Sequence, residues 1–370
     1  MRTSAKLDRT SGISWARSSD VRCPCPTIGS DVAGTTYDTV SQVLRNVRLR
    51  GAVFYDVRGG RSWSGEAPAA RDIAAAVMPG SEHVMEYHVV TRGEAWAAIL
   101  GETPIRMALG DIVVVPHGDP HVVSSARSPR PRPADVGWYF ATANDPKPIP
   151  VALSGTGRVS KVSNDDGAQT VIACGFLGCD LRPFNPLIAT LPRLLHVPAE
   201  GAEGWGVQAV RQAVLESHER RPGSAAVLER LSEMMFVDAV RRYIELLPED
   251  ATGWLAGLRD DCVGAALGLI HEDPGHSWTV EELAARVGLS RSALHDRFVR
   301  FVDDAPMQYL ARWRMQVAAT RLRETADPVA NVGLDVGYGS EAAFSRAFKR
   351  IVGSAPSEWR KQRQLAELGG

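Results

Sequence analysis

The first half of the chain alternates short apolar runs with polar or glycine-containing breaks, a pattern typical of β-strands. An amphipathic stretch between Asp38 and Val57 predicts a helix followed by a strand. Further strands are predicted where β-branched and aromatic residues cluster, at Val84–Val90, Glu94–Leu100, Ile112–Val115, Val136–Ala141 and Val171–Gly175. This spacing predicts an all-β sandwich or barrel over residues 38–185, with surface loops at 129–133 and 154–167.

After Pro186 the apolar positions recur every three to four residues, which predicts helices. Two shorter helices are predicted at Leu187–Leu195 and Val207–Ser217, and a long one at Ala225–Leu247. We therefore interpret residues 186–253 as a helical connector. Some apolar residues of its long helix either contact a partner chain, which would make the connector a dimerisation element, or belong to the core: Met234, Met235, Val237 and Tyr243.

The last part of the chain, residues 254–370, contains a sequence that repeats at an offset of 50 positions. Each copy predicts a helix, a turn with glycine, a serine N-cap and a second amphipathic helix. The order of these features is that of a helix-turn-helix motif, so this all-α domain is predicted to contain two of them. The matched positions are Ser290 and Ser340, Leu294 and Phe344, Phe298 and Phe348, Ala305-Pro306 and Ala355-Pro356, and Tyr309 and Trp359.

A continuous helical pattern from Pro306 to Arg323 joins the two motifs and predicts a rigid link of about 27 Å. This length is close to the ~34 Å pitch of B-DNA, so one chain is able to place two helices in successive major grooves. The second helix of such a motif contacts base edges with its exposed residues, while flanking groups contact phosphates. Our candidate DNA-contacting residues are Arg291, Ser292, His295, Asp296, Arg297, Ser340, Glu341, Ala342, Ser345, Arg346 and Lys349.

Charge supports this division of the chain. The 370 residues have a net charge of −1, which by itself would argue against a nucleic-acid partner. Residues 286–363 alone carry a net charge of +6, however, and the rest of the chain carries −7. Residues 1–37 are polar and predict an irregular tail without a secretion signal or membrane anchor. Since no apolar run is long enough to span a bilayer, we expect a cytoplasmic protein.

These motifs together resemble a known family. The segment Trp278–Arg363, and above all Asp335–Arg360, resembles the DNA-binding domain of AraC-type transcriptional regulators. The resemblance implies base contacts by Ser292, His295 and Asp296 in the first motif and by Glu341, Ala342 and Arg346 in the second. Asp296 departs from the family pattern, which commonly has a basic residue there. An acid near phosphate weakens DNA binding unless it accepts a hydrogen bond from cytosine or pairs with a neighbouring arginine.

The N-terminal half resembles the cupin-type sensor domain of the same family. Gly110–His121 fits the second cupin motif, whereas the first is imperfect because Glu86 replaces its first histidine and Glu94 lies one residue late. Two cysteines five residues apart, near the end of a predicted strand, offer an alternative metal site of the Cys2His2 type, for which zinc is the natural occupant. That site would comprise His88, His121, Cys174 and Cys179. Alternatively, the cysteines are buried apolar residues and His121 is a turn histidine.

The sequence thus predicts a multidomain regulator, with an N-terminal cupin-like all-β barrel, a helical connector and a C-terminal all-α domain with two helix-turn-helix motifs. Its expected partners are double-stranded DNA, a small-molecule effector, RNA polymerase and a second copy of the chain, with no membrane partner. A competing hypothesis is a metal-dependent cupin enzyme that uses His88, Glu94 and His121. A third is a metal or redox sensor based on Cys174 and Cys179. No catalytic motif favours the enzyme.

Overall fold

The computed structural model describes residues 38–129, 132–162, 167–199 and 221–368, together with 208–209, 212–213 and 215–216. The predicted tail at 1–37 and five of the eleven residues of the predicted helix at 207–217 lie outside these residues. Within the described ranges, every helix is too short or too polar to cross a membrane.

The N-terminal domain begins with the predicted helix and strand and continues as a two-sheet structure. Its elements are α1 (Thr39–Asn46), β1 (Arg50–Gly59), β2 (Ser64–Ala67), α2 (Ala70–Val77), β3 (His83–Arg92), β4 (Ala95–Ile99), β5 (Ile105–Met107), β6 (Ile112–Val115), β7 (His121–Ser124), α3 (Val136–Ala141), β8 (Ile149–Leu153), β9 (Val159–Lys161), β10 (Thr170–Cys179), α4 (Pro186–Thr190) and β11 (Leu195–Val197).

These strands form a seven-stranded sheet, in the order β11-β6-β3-β10-β1-β8-β9, and a four-stranded sheet, in the order β2-β7-β4-β5. The pairing of β1 with β8 is parallel, and the other pairings within both sheets are antiparallel. One apolar core includes the inward side chains of both sheets, such as Val90, Val113 and Val123. A second core lies on the outer face of the large sheet, where Met85, Val89 and Val114 point.

Two of the predicted elements are wrong. The apolar run Val136–Ala141 is a short helix, not a strand, because its half-buried aromatic side chains pack against the core from one side of the segment. The predicted helix Leu187–Leu195 stops at Thr190, and Leu195–Val197 adds a strand to the large sheet next to β6. The alternation of buried Leu195, half-buried His196 and buried Val197 has the period of a strand.

The second half is helical, as its pattern predicts. Its elements are α5 (Ser224–Leu246), α6 (Trp254–Gly257), α7 (Asp261–Glu272), α8 (Val280–Arg286), α9 (Arg291–Val302), α10 (Pro306–Glu324), α11 (Val329–Asp335), α12 (Glu341–Val352) and α13 (Pro356–Leu368). The long helix α5 packs on the outer face of the large sheet through Leu228, Met235 and Phe236. Of the residues considered for a dimer contact, Met235 is therefore in the core, whereas Met234 is half exposed.

The two helix-turn-helix motifs are α8–α9 and α11–α12, and their second helices begin after the serine N-caps that the sequence predicts. The hydroxyl of Thr279 accepts a hydrogen bond from the Glu282 amide, and Ser290 and Ser340 cap α9 and α12 in the same way. Gly288 and Gly337, which form the turns, have positive φ angles of 71° and 84°, a backbone conformation that favours glycine.

The N-terminal domain contacts α10, the helix that joins the two motifs. Three polar residues spaced along one face of α10 bind the last residue of α1 and the segment that follows β10. The amide group of Gln316 donates to the Asn46 carbonyl at 2.7 Å and accepts from the Phe184 amide at 2.9 Å, and Thr320 also donates to Asn46. Further along α10, Arg323 forms a buried ion pair with Asp180 at 2.7 Å. These contacts position the linking helix relative to the sheet.

Candidate nucleic-acid interface and barrel cavity

The first recognition helix, α9, has one buried and one solvent-exposed face. Leu294 and Phe298 are buried in the core of the domain. Four of the predicted DNA-contacting residues are exposed on the same helix: Arg291, Ser292, His295 and Asp296. Arg291 forms a surface ion pair with Glu281 at 2.8 Å, which is weak enough to be exchanged for a phosphate contact.

Arg297 is a predicted DNA contact that the structure places in another role. Its guanidinium donates to both carboxylate oxygens of Asp260, with an Nη2 to Oδ2 distance of 2.7 Å. Asp260 is itself nearly buried and caps α7 by accepting from the amides of Cys262 and Val263. Arg297 therefore joins α9 to the N-terminus of α7 through an ion pair.

The second recognition helix, α12, is the more regular of the two. Phe344 and Phe348 are fully buried on one side and contact each other edge to face. The predicted DNA contacts lie on the remaining sides, where Ser345 is half-buried and the others are exposed: Glu341, Ala342, Arg346 and Lys349. Ser340 acts as the N-cap, since its hydroxyl accepts from the Ala343 amide. Both recognition helices therefore present a polar face that the N-terminal domain leaves accessible.

Inside the barrel, three side chains converge from two strands. Glu86 and His88 are two residues apart on β3 and therefore point to the same side of the sheet, and His121 begins β7 in the opposite sheet. The Nε2 atoms of His88 and His121 are 2.6 Å apart, and each lies 3.9 Å from a carboxylate oxygen of Glu86. All three side chains are buried. We refer to Glu86, His88 and His121 as the donor cluster.

Hydrogen bonds on the far side of each imidazole orient both rings. Nδ1 of His121 lies 2.9 Å from the Asp119 carbonyl oxygen and donates to it, which leaves Nε2 with a lone pair. Nδ1 of His88 lies 2.9 Å from Sγ of Cys174, the residue paired with His88 across the sheet. Protein metal sites hold their histidine ligands in this manner, with one ring nitrogen hydrogen-bonded and the other facing the ion.

Burial keeps the donor cluster neutral. It raises the pKa of Glu86 to about 8 and lowers the pKa of His121 to about 4. The pKa of His88 is also well below its usual value, first through burial and then through the neighbouring His121. Burial raises the pKa of the Cys174 thiol well above its usual range, so this sulfur is a thiol and not a reactive thiolate.

The geometry of the donor cluster fits a divalent metal ion. One oxygen and two nitrogens lie within 4.8 Å of one another. Donor atoms that share one zinc ion are about 3–3.5 Å apart, because each bond is about 2.0–2.2 Å long. The observed separations of 2.6 and 3.9 Å lie on either side of that range, so side-chain rotations suffice. In addition, Oε2 of Glu86 is buried and has no hydrogen-bond partner, which an ion would supply.

This donor set differs from both sets that the sequence predicts. Cys174 and Cys179 are an odd number of residues apart on β10, so they point to opposite faces, with Cys174 in the inner core and Cys179 in the outer one. Cys179 is therefore remote from His88 and His121, and Cys174 contacts the wrong nitrogen of His88 to complete the ligand set. Glu94, the carboxylate of the enzyme hypothesis, is exposed and pairs with Arg106.

A cavity of about 330 Å³ lies beside the donor cluster. Glu86, His88 and Cys174 form its floor, and its walls are mostly apolar or aromatic: Tyr55, Val57, Val123, Trp138, Tyr139, Val151 and Leu153. Its mouth is formed by parts of the two predicted loops, including Arg132 and Arg158, although the second loop contains the strand β9. A predominantly apolar cavity with a few convergent polar groups is typical of small-molecule sites.

Comparisons with known proteins agree with this two-part organisation. A family model described as Cupin matches residues 38–245, and one described as Helix-turn-helix domain matches residues 283–362. A protein of Streptomyces antibioticus named as an AraC-like transcription regulator is 33% identical over 326 residues, which cover 88% of this chain and 98% of the relative.

Two further proteins illustrate the range of similarity. The HTH-type transcriptional regulator AlkR of Acinetobacter baylyi is 27% identical over 331 residues, which cover 88% of this chain and 99% of the relative. The solved DNA-binding domain of AdpA, in complex with a target DNA, is 27% identical and covers 30% of this chain and 99% of that one, with a TM-score of 0.28.

Proposed function

Because this chain belongs to the AraC-like transcription regulators, which bind DNA through a helix-turn-helix domain, we propose that α9 and α12 contact bases in two successive major grooves. This proposal is supported by the exposed polar faces of α9 and α12, which lie at the two ends of α10. This helix has 19 residues and is about 28 Å long, close to the ~34 Å pitch of B-DNA. Buried Leu310, Trp313 and Leu322 fix it in the core.

The proposed base contacts are Ser292, His295 and Asp296 from α9 and Glu341, Ala342 and Arg346 from α12. Arg291, Ser345 and Lys349 flank them and are suited to phosphate contacts. Arg297 and Ser340 support the recognition helices without contacting bases, since one binds Asp260 and the other caps α12.

Selection of DNA by the purified full chain tests this proposal. Oligonucleotides with a random central region are enriched for binding, and we expect two short conserved blocks about 10 base pairs apart. Arg346→Ala should lower affinity by about 1–3 kcal/mol and relax the preference at one position of a single block. The matched control is Arg71→Ala, which removes an exposed arginine of the N-terminal domain. A single enriched block, or identical sequence preferences for wild type and Arg346→Ala, would contradict the proposal.

We further propose that the barrel is the sensor of the regulator, with the donor cluster as a site for a divalent metal such as zinc and the cavity as the effector site. The bound metal would supply a positive charge that attracts an anionic group, and the protein would supply three ligands and an apolar enclosure. We propose sensing without catalysis, since the curated relatives described above are named as regulators. A redox sensor that joins Cys174 to Cys179 is disfavoured because the two thiols lie on opposite faces of β10.

A short path through the backbone of β10 and one ion pair links this sensor to the DNA-binding domain. The strand β10 carries Cys174 at the cavity floor, and Asp180, which directly follows the strand, pairs with Arg323 of α10. A shift of β10 on effector binding therefore reaches the helix that spaces the two motifs. An effector that binds one of two arrangements of the chain more tightly shifts the population toward that arrangement. The resulting change in DNA affinity is limited by this difference in effector affinity and is commonly 5-fold to 150-fold, or about 1–3 kcal/mol.

A second copy of the chain is proposed to bind beside α5, where half-exposed Met234 and half-buried Val237 line an open groove with Leu44 and Leu49 of the N-terminal domain. As a transcription regulator the protein is proposed to act in the cytoplasm and to contact RNA polymerase. Analytical ultracentrifugation of the wild type and of Met234→Glu tests the dimer, which the charged side chain should dissociate.

A further inference from the structure

The floor of the cavity imposes a charge requirement on whatever binds there. Two neutral imidazoles and one carboxylate around a divalent cation leave a net charge of +1. A net charge in a buried, low-dielectric site is costly unless another group neutralises it. The groups on the floor do not supply that charge, because the Cys174 sulfur contacts Nδ1 of His88, the nitrogen that faces away from the donor cluster.

The other acids around the cavity are at its mouth. Glu66 accepts a hydrogen bond from the Ala134 amide, and Asp135 is exposed. Two exposed arginines, Arg132 and Arg158, lie at the same rim, so these four side chains sum to no net charge. The balancing negative charge must therefore be bound at the metal itself, either as the hydroxide left when a metal-bound water loses its proton or as an anionic ligand that reaches the floor and replaces it.

The walls determine the rest of the ligand. Tyr55 and Tyr139 contact each other edge to face, with ring centroids 5.8 Å apart, and Trp138 lies beside them. Both phenols stay uncharged, because burial is the main effect on them and raises the pKa of Tyr55 to about 12 and the pKa of Tyr139 well above its usual value. Aromatic walls of this kind favour a flat apolar group with edge-to-face contacts. At about 30 Å³ per water-sized group, 330 Å³ accommodates about ten non-hydrogen atoms.

We propose that the cavity binds a small aromatic carboxylate, whose carboxylate group completes the coordination of a divalent metal held by Glu86, His88 and His121 while its ring lies against Trp138 and Tyr139. This inference deepens the sensor role and rests on the metal site of the proposed function. The ligand would thus combine an anionic oxygen donor for the metal with one planar ring.

Calorimetry and absorption spectroscopy on the full chain test the ligand class. The protein is stripped of metal, reloaded with Zn²⁺ or Co²⁺, and titrated with benzoate or with benzamide, which has the same ring and no charge. We expect one metal per chain, benzoate binding only to the loaded protein, a benzamide affinity at least 10-fold lower, and a benzoate-dependent change in the Co²⁺ absorption spectrum. Equal affinity for benzoate and benzamide, or benzoate binding to the metal-free protein, would overturn the proposal.

Two variants separate the ligand site from folding effects. Glu86→Gln has the shape of the protonated carboxyl group, so the chain should fold while metal and benzoate binding fall at least 100-fold. Trp138→Ala lies at the half-buried wall and should weaken benzoate about 10-fold while leaving the metal content unchanged. If Glu86→Gln retains its metal, the proposed ligand set is wrong. Specific DNA binding by the same preparations is measured in parallel, so a failed ligand test is distinguishable from a failed regulator assignment.

Discussion

The contact between the N-terminal domain and the linking helix yields the most demanding stability prediction. Asp180 lies 2.7 Å from Nη1 of Arg323 and 3.0 Å from Nε of Arg48. The side chains of Asp180 and Arg323 are each only 2% exposed, whereas that of Arg48 is 27% exposed. In Asp180→Asn the shape is kept but the negative charge is lost, so Arg323 is left with a buried charge that its main partner no longer balances.

The size of the effect follows from this burial. Removing one partner of a buried ion pair costs about 3–5 kcal/mol, because the remaining charge is poorly solvated. Exposed Glu324 lies 3.7 Å from Arg323 and offsets part of this loss. We therefore expect about 3 kcal/mol, and since 1 kcal/mol shifts the melting temperature of a domain of 150–250 residues by about 2–4 °C, the transition should fall by about 6–12 °C.

Differential scanning fluorimetry at a fixed scan rate measures this shift, since a multidomain chain need not unfold in one step. The matched control is Asp327→Asn, which removes a carboxylate from a solvent-exposed pair with Arg321 and should leave the melting temperature unchanged. If Asp180→Asn melts together with this control and the wild type, the buried pair does not hold the N-terminal domain against α10.

Three further predictions address single residues. Arg297→Ala should destabilise the DNA-binding domain by about 2 kcal/mol, because Asp260 loses its ion pair, and should leave the salt dependence of DNA binding unchanged when affinities are measured at several salt concentrations. Burial lowers the pKa of His271 to about 3, so between this value and the unfolded pKa of 6.5 only the unfolded chain binds a proton there. The free energy of unfolding should therefore fall by about 1.4 kcal/mol for each unit by which the pH drops below 6.5. Urea titrations of His271→Phe at several pH values should lack this contribution. Cys174→Ser should still bind metal, because the sulfur orients His88 without being a ligand. Elemental analysis should find the metal in this variant, and competition titration should show a metal affinity at most about 100-fold below that of the wild type.

Each of the three predictions can be contradicted by one result. A lower salt slope in Arg297→Ala would mean that this arginine contacts phosphate after all. A pH profile of His271→Phe parallel to that of the wild type would remove His271 as a source of acid sensitivity. Complete loss of metal in Cys174→Ser would mean that Cys174 is itself a metal ligand.

The DNA-binding domain was largely predictable from the sequence because its signals are local. The caps Ser290 and Ser340 and the turn residues Gly288 and Gly337 act within a few residues, and the repeat supplies each signal twice. The ion pair of Arg297 with Asp260 has no local signal, because the two residues are distant in sequence. Exposure on a helix depends on what packs against it, which periodicity alone does not specify.

The barrel was less predictable for the same physical reason. The segments Val136–Ala141 and Leu195–Val197 are too short for the spacing of their apolar residues to separate a helix from a strand. Tertiary packing therefore decides their structure. The donor cluster, in contrast, had a usable signal. Residues 86 and 88 share a face of β3, whereas 174 and 179 cannot share a face of one strand, so strand parity alone favoured Glu86 over Cys179.

We propose that one chain contacts DNA with two recognition helices held by α10. Hydroxyl-radical footprinting on a selected operator tests it most directly, with the protein-to-DNA ratio determined on the same sample. We expect two protected stretches per bound chain, about 10 base pairs apart on one face of the DNA, one of which weakens in Arg346→Ala and the other in His295→Ala. One protected stretch per bound chain, or two that weaken together in both variants, would contradict it.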